Sequence, residues 1–270
     1  MRGEYVIRFH IWLKNKKQCT PSFIFLFFRY DFEVRKCIVA NWKEYPTTEA
    51  GALALARASD FEGMIICPPH RFLGLLNSGS LLKHAALGAQ DYVSDAAGRG
   101  VRYVIIGHSD RRRLGDTNDS IAEKMARAVS DGLTPILCVG ETREERERGK
   151  TEAAIREQLK IGLSKIQKSA IRNPKSEIWI VYEPVWAIST EAHAQPETAG
   201  GATRIICFIK EQLIQYKDSR FLYGGSVNAE NAHLFLEQRD IDGLLVGAAS
   251  LHKEEIEIIW QLAQQTKKNS

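Results

Sequence analysis

From position 36 onward the chain alternates between two patterns. Short runs of apolar, often β-branched residues are followed by longer segments with helical spacing. The short runs fall at 37–42, 64–67, 86–90, 103–107, 134–139, 178–183, 221–224 and 243–247. They are apolar at successive positions rather than at every second one. Both faces are therefore expected to be covered, as in buried parallel strands. Between the runs, Ile121, Met125, Ala128 and Val129 share one helical face, and so do Ile155, Leu159, Leu163 and Ile166. Glu152 and Arg156 are spaced for an i,i+4 pair on another face of that second segment. Ile256, Ile259, Trp260 and Ala263 make a last stripe. Eight strand–helix units in about 235 residues predict an α/β fold, a closed (β/α)8 barrel, with an open doubly wound sheet as the structural alternative.

Two segments depart from this rhythm. Only residues 91–100 separate the third run from the strand near Val101. A parallel crossover ordinarily takes about ten to twelve residues or more, helix included, so this one is shortened to its limit and has room for one turn at 94–98. Residues 1–34 form an N-terminal extension to the barrel domain of 35–270. They hold nine of the chain's aromatic residues, with a Phe-rich run at 23–28. That run is six residues long, far short of the roughly 18 needed for a membrane span. Arg8 and His10 interrupt the first apolar stretch and no small-residue cleavage site follows, so no secretory signal is expected. One reading has the native chain starting later, for example at Val34.

Charge and cysteines narrow the function. The net charge of +4 is carried by residues 1–36, with eight basic and three acidic residues. The rest holds 29 basic and 30 acidic residues, which gives no electrostatic reason to expect nucleic acid. Five scattered cysteines, several inside apolar runs, read as buried thiols in a reducing cytoplasm. No spacing suggests a metal site, and no Rossmann or phosphate-loop glycine pattern is present, so neither metal nor cofactor is expected.

In a barrel of this kind, reactive groups belong at the C-terminal ends of strands. Asn41 and Lys43 follow the first run, Gln90 the third, and His108, Ser109 and Asp110 the fourth. Glu183 ends the sixth, Gly224, Gly225 and Ser226 follow the seventh, and Gly247 and Ala248 close the eighth. Singly, each has a structural reading: a solvated lysine, a histidine capping a strand, a carboxylate in an ion pair, a glycine turn. Together they suit proton transfer beside a carbonyl on a phosphorylated substrate. A carboxylate can take a carbon-bound proton, and a neutral imidazole can hydrogen-bond the enolate oxygen. A lysine offsets negative charge, and glycine turns let backbone N–H groups approach a phosphate.

Six stretches carry a more specific signal: ANWK at 40–43, YVIIGHSDRR at 103–112, PILCVGET at 135–142, YEPVWAI at 182–188, YGGSV at 223–227 and DGLLVGAASL at 242–251. In order and spacing they resemble the triosephosphate isomerase family, from about Arg35 to the end of the chain. The resemblance implies interconversion of dihydroxyacetone phosphate and D-glyceraldehyde 3-phosphate, in glycolysis and gluconeogenesis. Glu183 would be the base and His108 the neutral electrophile, the pairing known for this family. Lys43, with Asn41 beside it, would hold the substrate, and Ser109 would hold Glu183 at rest. Residues 184–194 would form a lid that excludes water. Backbone N–H groups of Ser189, Ser226, Gly247 and Ala248 would bind the phosphate.

The chain departs from the family pattern in several places. Asp110 stands for a glutamate, which is expected to loosen the polar network around Lys43. Ser189 and Glu191 replace lid glycines, Ala192, His193 and Ala194 replace the Lys-Thr-Ala hinge, and Ala248 replaces a glycine. The family's long loop after strand 3, which reaches into a partner subunit, is largely missing together with a helix. A homodimer is implied by the resemblance, yet this loss predicts a weak dimer or a monomer and uncovered apolar surface on strands 3 and 4. Two other functions stay open on sequence: a catalytically impaired phosphate-binding barrel, and another barrel isomerase or lyase acting on a phosphorylated sugar.

Overall fold

A computed structural model of the chain describes residues 36–77, 81–166, 177–188, 196–216 and 219–266. The N-terminal extension, with its aromatic run, lies outside the described residues. Eight strands pair in parallel and in sequence order into a closed barrel. They are β1 (Cys37–Asn41), β2 (Met64–Cys67), β3 (Ala86–Ala89), β4 (Tyr103–Ile106), β5 (Thr134–Val139), β6 (Trp179–Tyr182), β7 (Phe221–Tyr223) and β8 (Gly243–Val246). β8 closes on β1, with Cys37 opposite Gly243 and Ala40 opposite Val246. The open-sheet alternative is thereby excluded.

Residues along each strand alternate between two cores. Cys37, Val39, Ile65, Cys67, Ile105, Ile136, Cys138, Trp179, Val181, Leu222 and Leu245 pack together in the barrel lumen. The residues between them, such as Ile38, Ala40, Val104, Ile106, Ile180 and Tyr182, pack with the helices. This is why the runs read as apolar at every position. Each fully buried aliphatic side chain contributes about 1.5–3 kcal/mol.

The helices around the barrel are cut by their caps. Thr48 caps α1 (Glu49–Ala58), and reciprocal boxes of Thr117 with Ser120 and Thr142 with Glu145 open α4 (Asn118–Ser130) and α5 (Arg143–Glu147). Between them lie α2 (Leu73–Asn77) and α3 (Ser109–Arg113). Then come α6 (Thr151–Gly162), α7 (Ala199–Gln212), α8 (Ala232–Leu236) and α9 (Lys253–Gln265). The α4 stripe of Ile121, Met125, Ala128 and Val129 is buried as its spacing predicts. In α9, Ile256, Ile259 and Ala263 are buried, while Trp260 stacks on Phe61. Ile155 and Leu159 lie within α6, whereas Leu163 and Ile166 continue its buried stripe beyond the helix end. Arg156 does not turn to Glu152. It donates to Gln212 Oε1 at 2.6 Å and lies over the Phe208 ring, both on α7. A neighbouring amide and aromatic face outcompete an exposed i,i+4 pair worth a few tenths of a kcal/mol.

The short crossover holds a single 3-10 turn, Ala97–Arg99, ended by Gly100 at φ +72°. The expected exposure of strands 3 and 4 does not occur. Leu87, Ala89, Val104 and Ile106 are all buried and share a cluster with Ala96 and Val101 from the crossover itself. Tyr92 and Val93 pack against the same cluster. Arg99 Nε donates to Asp95 at 2.6 Å, and the Tyr92 hydroxyl donates to Asp131 at 2.8 Å, fixing both halves of the link. No helix among the described residues is long and apolar enough to cross a membrane.

Candidate active site

Most strands end one residue before the run that predicted them, and the residues left over line the barrel mouth. The lumen-facing series Cys37, Val39 ends on Asn41; Trp179, Val181 ends on Glu183; Leu222 ends on Gly224; Leu245 ends on Gly247. The ladder stops and the same face becomes a site. A cavity of about 250 Å³ opens there, lined by Asn41, Lys43, His108, Glu183, Ile188, Gly224, Gly225, Ser226, Gly247 and Ala248, among others. The cavity thus brings together Asn41, Lys43, His108, Glu183, Ser226, Gly247 and Ala248. Gln90, Ser109 and Asp110 stand behind it through Lys43 and Glu183. Ser189 lies outside the described residues together with 190–194 of the expected lid.

Glu183 and His108 form the centre. Glu183 is 4% and His108 5% exposed, so their charges are poorly screened. Glu183 Oε1 lies 2.8 Å from His108 Nε2. Its Oε2 accepts the Ser109 backbone N–H at 3.0 Å, and the Ser109 hydroxyl donates to Oε1 at 3.4 Å. His108 caps α3, with Nδ1 accepting the Asp110 backbone N–H at 3.1 Å. A ring nitrogen that accepts a hydrogen bond carries no proton, so the neutral ring donates from Nε2. Burial opposes charge on the ring. The carboxylate of Glu183, aided by Asp110, outweighs burial and lifts the imidazole pKa above its ordinary value while Glu183 rests there.

Lys43 enters the cavity from the loop after β1. Its ammonium lies 3.3 Å from Asp110 Oδ2, and its Cε carbon passes close to Gly247. Asp110 therefore spans to Lys43 despite its shorter side chain, and it is also bonded by Arg113. Burial pushes the Asp110 carboxyl pKa up. His108, Lys43 and Arg113 pull it down further, so it is held below the ordinary aspartate value.

On the opposite wall, Gly225 leaves no room for a side chain: a Cβ there would stand 2.1 Å from the Tyr223 hydroxyl. Ser226 is not free for an anion in this arrangement, because both its N–H and its hydroxyl donate to the Ala187 carbonyl, at 3.2 and 2.6 Å. Ala248 opens a 3-10 turn, Ala248–Leu251, behind Gly247. It is not among the residues at positive φ, so alanine in place of glycine carries no backbone strain.

Two nearby residues were not singled out by the sequence. Gly140, at the end of β5, packs directly under the Glu183 backbone. Glu141 is fully buried and accepts from Trp186 Nε1 at 2.9 Å and from the Tyr182 hydroxyl at 3.3 Å. Burial raises its pKa despite these bonds. It anchors the first turn after Glu183. Their signal was a Gly-Glu pair ending an apolar run, at the same barrel end as the other site residues.

The Triosephosphate isomerase family model matches residues 36–263. The chain belongs to the triosephosphate isomerase family. The triosephosphate isomerase of Dictyoglomus thermophilum is 41% identical over 242 residues, covering 80% of this chain and 95% of the relative. That of Paracidovorax citrulli is 38% identical over 248 residues, covering 82% and 95%. That of Aquifex aeolicus is 36% identical over 245 residues, covering 82% and 96%.

Proposed function

We propose that this chain interconverts dihydroxyacetone phosphate and D-glyceraldehyde 3-phosphate through an enediolate. The observation that carries the reading is the buried Glu183 carboxylate beside the Nε2 of His108, with the Lys43 ammonium on the same cavity. Glu183 takes a proton from the carbon next to the carbonyl and returns it to the adjacent carbon. His108, neutral, donates from Nε2 to the oxygens that gain charge. Its Nδ1 stays committed to the Asp110 N–H, which fixes the tautomer. Once Glu183 turns from Nε2 to the substrate, its carboxylate no longer raises the imidazole pKa from that contact, which favours the neutral ring. Lys43 offsets the phosphate and enediolate charge, and Asn41 accepts the Lys43 N–H at 3.0 Å.

The phosphate is placed at the turns after β7 and β8, on N–H groups of Gly247, Ala248 and Ser226, with Ser189 completing the set. Ser226 takes part when Ala187 withdraws its carbonyl, which ties phosphate binding to movement of the segment after Glu183. No metal or cofactor enters this scheme. We assign the enzyme to the cytoplasm. The cysteines Cys37, Cys67, Cys138 and Cys207 are free thiols, which suits a reducing compartment. The shortened crossover leaves little protruding surface for a partner, so we assign a monomer or a weak dimer.

Glu183→Gln tests the mechanism. It keeps the shape and removes the basicity. kcat for glyceraldehyde 3-phosphate is expected to fall by at least about 10²-fold with KM little changed. Turnover near the parent rate would refute the assignment. A parent chain that binds phosphate compounds without turnover would make it an impaired binder instead.

A further inference from the structure

Gln90 stands at the strand ends with no role in the scheme above. It follows Ala86 and Gly88 on the lumen side of β3, so its amide lies at the barrel mouth. Its Nε2 donates to the carbonyl of Lys43 at 2.7 Å and to that of Cys67 at 2.9 Å. Lys43 needs such support. Among the described residues it is the one non-glycine at positive φ, +52°. An L-residue holds that conformation only where its surroundings fix it. The Lys43 N–H is taken by Asn41, and Arg71 holds the carbonyls of Glu44 and Pro46 at 2.9 and 3.0 Å. Gln90 fixes the remaining group, the lysine's own carbonyl, and ties it to the end of β2.

The next residue anchors Gln90. The Asp91 carboxylate meets Lys124 Nζ at 2.8 Å and Arg111 Nε at 2.8 Å. Both cations also reach Asp116, Lys124 at 2.6 Å and Arg111 at 3.4 Å. Two carboxylates and two cations thus alternate in a ring, with the Asp116 side chain only 9% exposed. A partly buried network of this kind holds geometry better than a single surface pair. Arg111 lies three residues beyond His108, so the ring joins the strand that carries Gln90 to the helix that His108 caps.

We propose that Gln90, anchored through Asp91, is the positioning residue for Lys43, fixing the ammonium against His108 and Glu183 from within one chain, without a partner subunit. The inference rests on the isomerase reading. Gln90→Met keeps the size and removes both donations. Its kcat/KM should fall by about 10- to 10²-fold, the scale of a 1 Å misplacement. The same change made in Lys43→Met should cost nothing further, because the group it positions is gone. Affinity for glycerol 3-phosphate, an unreactive phosphorylated analogue, is measured beside turnover, so that a slow double variant is still read.

Equal losses in the two backgrounds, or no loss in either, would overturn the proposal by making Gln90 a structural residue. If Gln90→Met does not fold by circular dichroism, Asp91→Asn, which opens the ring, is put through the same pair of backgrounds. A loss confined to the Lys43 background supports the anchor, and its absence overturns it. Specific activity that falls on dilution would overturn the within-chain claim. A parent chain without isomerase activity would refute the isomerase reading, a result distinct from all of these.

Discussion

Gly140→Ala is the most discriminating small change at this site. A Cβ at position 140 would stand 1.9 Å from the Glu183 carbonyl oxygen and 2.5 Å from its carbonyl carbon. Real Cβ contacts essentially never fall under 3.0 Å, so one backbone must yield by about 1.1 Å to open a gap of 1.9 Å to that limit. Gly140 is poorly placed to do so. Gln158 on α6 clamps its peptide from both sides, accepting the N–H at 3.0 Å and donating to the carbonyl at 2.9 Å. The yielding side is therefore Glu183. A shift of that size undoes its 2.8 Å contact with His108 and its 3.0 Å bond from Ser109. Misplacement by about 1 Å costs on the order of 10²-fold in rate, equivalent to about 2.7 kcal/mol at the barrier. The overpacking itself costs about 1–3 kcal/mol of stability, which leaves an ordinary domain folded. The assay is kcat/KM with a thermal melt on the same sample, and Gly98→Ala as the control, since nothing lies within 4 Å of a Cβ there. Parent-like turnover in Gly140→Ala, or a loss no larger than its unfolded fraction, would refute the reasoning.

Three further outcomes follow from the site and the fold. In Glu183→Gln the charge that raises the His108 pKa is gone, so histidine NMR should show that pKa lower than in the parent; an unchanged value would break the link between the two residues. By linkage, a raised pKa contributes stability fully below the free imidazole value of about 6.5 and loses it as pH climbs through the raised value, so the parent's stability advantage over the variant should shrink with rising pH. Sedimentation of the full chain and of a version beginning at Val34 should give monomer or weakly associating species, and a tight dimer from the shorter version would contradict the effect assigned to the short crossover.

What the sequence disclosed, and what it did not, follows from how a barrel is built. Strands buried on both faces leave a plain signature, and all eight were legible. Six ends were read one residue long because Trp42, Gln90, Gly107, Glu183, Gly224 and Gly247 continue the run while leaving the ladder, whereas β2 and β5 end where they were read. The site's residue types were legible for the same reason: period two carries Asn41, Glu183 and Gly224 onto the lumen side without knowledge of any contact. Contacts between strands far apart in sequence were not legible. That Gly140 lies under Glu183, or that Arg156 prefers Phe208 to Glu152, depends on how neighbouring elements abut once the barrel closes.

The crossover shows the limit most clearly. Counting residues at 91–100 detects a missing helix and predicts bare strands, since length alone says nothing about what the remaining residues cover. Ala96 and Val101 are small, buried and part of the same outer cluster as Leu87, Val104 and Ile106 of β3 and β4. Asp91 then pins the start of the link by charge, while Arg99 pairs with Asp95 inside the link itself. A helix supplies cover and position together. Here the two tasks are divided: small apolar residues give the cover, and ion pairs give the position. Such a division is tolerable only where the charges have fixed partners on neighbouring helices, as Asp91 has in Lys124 and Arg111. Loss of those partners should therefore disturb the lysine loop well before it disturbs the barrel core, whose outward and lumen clusters do not depend on the ring.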